Sequence, residues 1–178
     1  MAPLQDTTEE NRTARERLGA DFREAFRHHP GGIAIIAGAD ADGPAGMTAS
    51  SVASVSVTPT TVLFSLMRGS RSADCVLRAE RLSVNLLHAG HAQLARDFAT
   101  RGAPRFTPGQ NWERLDDGTP VLADAAACLI GHVTHTVELG EAVVVVAEIT
   151  EVRTGEPGEG LVYRDRRFHG LSGDSALE

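Results

Sequence analysis

The chain reads as a mostly antiparallel β-barrel with a few flanking helices. Three observations lead there. Apolar runs of strand length outnumber segments of helical period. The two longest runs, Cys128 to Leu139 and Ala142 to Arg153, are joined only by Gly140-Glu141, a link short enough for an antiparallel hairpin and too short for a crossover. The regular strand–helix alternation of a doubly wound parallel sheet is missing.

The elements follow in order. Residues 1–11 are polar and predict a fraying tail. From Arg12 to His28 the period is helical, with Leu18, Phe22 and Phe26 on one stripe, and Pro30-Gly31-Gly32 stops it. Ile33 to Ala39 is a buried strand and Asp40 to Pro44 a turn. A strand is expected over Ala45 to Val57, with Val55 and Val57 on one face and Ser54 and Ser56 on the other. Thr58-Pro59 breaks the chain, and Thr61 to Leu66 resumes as a strand. Ser70 to Glu80 reads as a short helix capped by Ser70 or Ser72, with Asp74 in its first turn. Leu82 to Leu87 is a strand, and Ala92 to Thr100 a second short helix, with Gly102 past its end. Ala103 to Pro120 is loop, carrying Phe106 and Trp112, and Leu161 to His169 is the last strand. One domain over 12–171 results, with tails at 1–11 and 172–178.

Composition narrows the function. The sequence has 178 residues and a net charge of −7, with no basic stripe, so nucleic acid is not an expected partner. All 17 basic residues are arginine, so neither a Walker lysine nor a lysine Schiff base can exist here. Cys75 and Cys128 lack metal or disulfide spacing and read as small core residues. No segment reaches the roughly 18 apolar residues of a membrane helix, and no secretory leader is evident; the cytoplasm is the expected compartment. His132 and His135, three apart on a strand, are expected to face opposite ways, and His88 with His91 lacks a third ligand, so no metal site is expected. Gly155 to Gly160 reads as a plain turn because it precedes a strand, and Gly170-Leu171-Ser172-Gly173 does not frame a nucleophilic serine. The basic run Arg164 to Arg167 is either a solvated strand end or a phosphate contact.

The stretch Gly46 to Ser72 carries the chemistry. Its small and hydroxylic residues let a flat ligand approach the backbone, and Ser70-Arg71-Ser72 at a helix mouth suits a phosphate. Together they point to a phosphorylated planar cofactor, with a flavin the best fit.

These residues resemble the short-chain flavin reductases, the reductase components of two-component flavin-dependent monooxygenases, which have the FMN-binding split-barrel fold. The matching pieces are Phe22 to Phe26 with Pro30 to Ile33, Gly46 to Ser51, Ser54-Val55-Ser56 with Pro59, Val62 to Ser65, Ser70 to Ala73, Val84 to Leu87, Phe98-Ala99, Arg105-Phe106, Pro120 to Leu122 and Leu161 to Arg164. The resemblance implies that Pro44, Ala45, Gly46, Met47 and Thr48, with Ser50 and Ser51, line the isoalloxazine. It implies that Ser65, Leu66 and Met67 run beside the ribityl chain, and that Arg71 and Ser72 hold the phosphate. Phe98, Arg105 and Phe106 would close over the site, and Tyr163 and Arg164 would seat the nicotinamide nucleotide. It further implies a homodimer, FMN or FAD as the flavin, NADH ahead of NADPH as donor, and a partner monooxygenase that takes the reduced flavin. No side-chain acid or base is required, so no catalytic residue is expected. The family usually carries Gly-Asp-His where this chain has Gly140-Glu141-Ala142, and Ala142 has no donor for the nicotinamide. That departure leaves an alternative, a flavin carrier or sensor without nicotinamide turnover. An oxidase resembling pyridoxamine phosphate oxidases ranks below both.

Overall fold

The computed structural model describes residues 6–156 and 158–177. Helix α1 spans Asp6–Arg27; then come strands β1 (Gly31–Gly32), β2 (Ala34–Asp40), β3 (Gly43–Ala49), β4 (Ala53–Val57) and β5 (Thr60–Met67). Helix α2 (Arg71–Arg78), β6 (Leu82–Leu86), helix α3 (Ala92–Ala99), β7 (Trp112–Arg114) and β8 (Pro120–Leu122) follow. The chain ends in β9 (Ala127–Leu139), β10 (Ala142–Thr154), β11 (Gly160–Arg164) and β12 (Arg167–Leu171).

Seven strands form one antiparallel sheet in the order β3-β2-β6-β9-β10-β5-β4. Its two edge strands, β3 and β4, are consecutive in sequence and joined by residues 50–52 alone. Laid flat, those edges would stand roughly 29 Å apart. The link from Ala49 to Ala53 reaches at most about 14 Å. The sheet must therefore curl until its edges approach, which makes the barrel. At the seam the Ser51 hydroxyl accepts from Ser65 N–H at 2.9 Å and lies 3.3 Å from Ser65 C=O, taking the place of ladder bonds.

The interior is filled by one side of each strand. Val143, Val145, Ala147 and Ile149 of β10 meet Ile36, Phe64, Leu66 and Val84. Strand β2 is buried on both sides: Ile36 points into the barrel, while Ile35 packs with Leu94, Ala95 and Phe98 of α3 outside it. That double burial explains why the β2 sequence is a continuous apolar run. Cys75 and Cys128 are buried as expected, and burial pushes the Cys128 thiol up to about 12. A buried polar network fixes β8 against β6. Asn85 Nδ2 donates to Ile35 C=O (3.0 Å) and Ser83 Oγ (2.9 Å), its Oδ1 accepts from Leu122 N–H (2.9 Å), and Ser83 Oγ donates to Pro120 C=O (2.5 Å).

Several expectations change. Helix α1 begins at Asp6, so residues 6–11 are helical rather than a tail; residues 1–5 lie outside those described. Its stripe of Leu18, Phe22 and Phe26 stays exposed within the chain. The expected strand 45–57 is two strands, because the seam turns at residues 50–52, and Val55 and Val57 are exposed despite their alternation. The last strand is a hairpin, β11–β12, turned by Asp165 and Arg166, both with positive φ (51° and 61°). His132 and His135 fall on the same face: the register slips at Thr134, so they oppose Glu148 and Val146, two residues apart on β10. Among the described residues no group of three or more His, Cys, Asp or Glu could hold a metal ion.

His88 and His91 stack with ring centroids 3.8 Å apart, and His91 Nε2 lies 3.2 Å from Asp124 Oδ1 without the alignment of a hydrogen bond. Burial, and then the neighbouring His88, lowers the pKa of His91 from its usual 6.5. The unfolded chain therefore binds this proton more readily than the folded one. Stability from neutral His91 is complete above about pH 6.5 and is lost as pH falls through the lower folded value. Thermal melts are expected to show a falling midpoint on acidification below neutrality, with a shallower fall in His91→Asn. Asn85→Ala, which strands Leu122 N–H in the core, is expected to cost about 1–3 kcal/mol in urea unfolding.

Candidate functional site

The close approach of β3 to α2 and α3 leaves a groove of about 740 Å³. Its floor is the backbone from Pro44 to Thr48, one end is Gly69 to Ser72, and the far wall is Phe98, Arg101, Arg105 and Phe106. Ser70 is the N-cap of α2; its side chain accepts from Ala73 N–H. The N–H groups of Arg71 and Ser72, at the first two helical positions, have no acceptor within the helix and stand at its positive end.

The floor is narrow for a reason the sequence did not disclose. A Cβ on Gly46 would meet Ile36 C=O at 2.9 Å and the Phe98 ring at 3.2 Å. Gly46 is therefore small to let α3 close on β3, as well as to keep the floor flat. Thr48 Oγ1 donates to Ala95 C=O at 2.7 Å and pins the same two elements.

Arg105 ties the walls together. Its guanidinium donates to Gly46 C=O (2.9 Å), Ser72 Oγ (3.0 Å), Thr100 C=O (2.8 Å) and Asp97 C=O (3.3 Å), and lies 5.6 Å from the Phe98 ring centroid. Burial lowers its pKa below the usual arginine value. Phe106, at φ 56°, packs edge-on to Phe98 and against Trp112. Arg71 lies at the other end. Its guanidinium makes a two-point pair with Asp40 (2.6 and 3.0 Å) and donates to Gly43 C=O (3.2 Å). Arg78 binds the same carboxylate at 3.1 Å and, as the largest influence, holds Asp40 below the usual carboxylate range.

A second hollow of about 660 Å³ adjoins the groove and shares Thr48 and Ala99 with it. Ser50, Arg96, Tyr163, Arg166, Arg167 and Phe168 also line it, with Arg96 5.4 Å over the Phe168 ring.

Of the residues expected from sequence, Pro44, Ala45, Gly46, Met47, Thr48, Arg71, Ser72, Phe98, Arg105 and Phe106 line the groove together. Ser50 and Tyr163 line the second hollow. Ser51 spends its hydroxyl on the barrel seam. Ser65, Leu66 and Met67 line neither hollow; Leu66 is core, and Met67 is exposed on the outer sheet face. Arg164 lines neither, lying instead 3.3 Å from Asp165. Ser72 is nearly buried, with its hydroxyl held by Arg105. Sequence reasoning missed Arg96, Arg101, Arg166 and Arg167 as lining residues. The basic run 164–167 was visible, but only the hairpin turn decides that Arg166 and Arg167, rather than Arg164, border a hollow.

Comparison with known proteins agrees with this architecture. The chain matches the flavin reductase like domain over residues 26–172, and it belongs to that family. It is 33% identical over 174 residues to the FMN reductase (NADH) RutF of Ancylobacter novellus, covering 97% of this chain and 96% of that protein. It is 33% identical to the reductase component of 4-hydroxyphenylacetate 3-monooxygenase of Pseudomonas aeruginosa, over 84% of this chain and 90% of the other. The crystal structure of a flavin reductase domain protein from Arthrobacter sp. FB24 superposes with a TM-score of 0.82 at 31% identity, covering 90% of this chain and 98% of that one.

Replacing Arg105 with Met is expected to leave the Gly46, Asp97 and Thr100 carbonyls short of a donor and to lower stability by about 2–3 kcal/mol, read as a shifted urea midpoint.

Proposed function

We propose that this chain is an NADH-dependent flavin reductase that releases reduced flavin to a separate monooxygenase. The observation that carries the reading is the pair of hollows meeting along Thr48 and Ala99: one has a helix mouth and Arg71 for a phosphate, the other an aromatic and arginine-rich wall. Hydride transfer needs two flat rings face to face at roughly 3–3.5 Å, and the two hollows adjoin at Thr48 and Ala99, where such rings would meet.

The donor set fits a flavin nucleotide. The flat floor of Pro44 to Thr48 suits the ring, and the Arg71 and Ser72 N–H groups with the Arg71 guanidinium suit the phosphate. Arg96, Arg166 and Arg167 suit the anionic part of the nicotinamide nucleotide, with Tyr163 and Phe168 as apolar backing. When both are bound, the flavin ring supplies the hydride acceptor and the nicotinamide the hydride. The chain's own work is to orient the two, keep water from their contact, and set N–H dipoles against the charge that gathers on the reduced ring. The site residues and the extent of the domain, 12–171, are part of this proposal. The alternative, a chain that only carries flavin, rests on Ala142, which offers no donor to a nicotinamide.

The proposal includes a homodimer. Among the described residues no helix packs closely on the outer face of β5, β10 and β9, where Met67, Val137 and Leu139 are exposed (59%, 52% and 61%). An apolar face of this kind on a small chain is suited to a second copy, and Ser65 and Met67 would then reach a flavin from the interface rather than from within one groove.

Purified protein given NADH and FMN is expected to oxidise NADH, with NADPH, riboflavin and FAD compared in parallel. Flavin binding without oxidation of either nucleotide would select the carrier reading. Arg71→Ala is expected to raise the apparent KM for FMN about tenfold while leaving that for riboflavin little changed.

A further inference from the structure

We propose that Asp40 sets how firmly the groove retains a phosphorylated flavin, by competing with the flavin phosphate for the Arg71 guanidinium. This rests on the flavin reductase reading and concerns the release of the product.

Asp40 closes β2, and its carboxylate is held without help from Arg71. Asp42 N–H donates to Oδ1 at 3.1 Å, and Arg78 donates to Oδ2 at 3.1 Å. Arg71 occupies the remaining sides of both oxygens, and its Nη2 also reaches Gly43 C=O. Arg71 can therefore leave Asp40 for another anion while the carboxylate keeps Arg78 and the Asp42 amide. The exchange strands no charge, which is what makes it reversible. Two guanidinia share one carboxylate, so the Asp40–Arg71–Arg78 cluster beside the end of the groove carries a single net positive charge rather than two. A phosphate arriving at the mouth of α2 meets that reduced charge and a guanidinium already engaged. A site built this way holds its ligand moderately, which suits a flavin that must depart once reduced.

The test is equilibrium titration of FMN and of riboflavin, which lacks the phosphate, against the full chain, Asp40→Asn and Asp40→Glu. Asp40→Asn keeps the shape and removes the charge. It is expected to bind FMN about three- to fivefold more tightly and to release it more slowly, with riboflavin unchanged. Asp40→Glu restores the charge and is expected to return FMN affinity toward that of the unsubstituted chain. FMN affinity unchanged or weakened in Asp40→Asn, or an equal gain for riboflavin, overturns the proposal. If Asp40→Asn does not fold, Arg78→Ala is the second arm. It leaves Arg71 as the one guanidinium on the carboxylate, so FMN is expected to weaken and riboflavin to hold; no selective loss of FMN overturns the idea. If the unsubstituted chain binds neither flavin, the reading beneath falls, and this proposal with it. If it binds both and the variants do not separate them, only the role of Asp40 falls.

Discussion

The groove exists because one guanidinium holds its walls. Arg105 sits in the loop after α3, and from there it bonds to the floor at Gly46, the mouth of α2 at Ser72, and the end of α3 at Asp97 and Thr100. Each partner offers an oxygen with a lone pair to spare, and between them they belong to three elements, β3, α2 and α3. Arginine suits the task because its donors fan out in one plane and it keeps its charge when partly buried. A lysine could satisfy fewer of these oxygens and would give up its proton more readily in the same place.

That constraint acts on a frame already closed by topology. The link of residues 50–52 forces the sheet to curl, and the Ser51 hydroxyl completes the seam where no ladder can form. β3 is thereby an edge strand, and its backbone from Pro44 to Thr48 faces outward into the groove. The site thus occupies the place where the barrel stops being continuous. An interior strand would have had both sides of its backbone taken by neighbours and none left for a ligand.

Much of the fold could be read from the chain because local signals agreed with the final structure. The β9–β10 hairpin, the cap at Ser70 and the short helices are each set by residues close in sequence: Gly140 with its left-handed backbone, a hydroxyl three residues before Ala73, and apolar spacing. The misreadings share one physical cause. Whether Ala45 to Val57 is one strand or two depends on where the barrel closes, and that is a distance in space. Whether His132 and His135 share a face depends on a slip of register against β10. Alternation is also silent on burial: Val55, Val57 and the α1 stripe are exposed, and what covers a face is decided by the fold.

The sequence by itself determined the chemistry on offer. It allowed an all-arginine set of cations, a hydroxyl-capped helix mouth beside a run of small residues, and no lysine or metal chemistry of the usual spacings. Only the tertiary structure decided how those groups are used. It paired Arg71 with Asp40, gave Arg105 and Ser72 to the walls, removed Leu66 to the core, and brought Arg96 and Arg166 to a common hollow. Residue type limits which bonds a side chain can make. Which of them it does make is settled by neighbours that lie far away along the chain, so the choice waits on the fold.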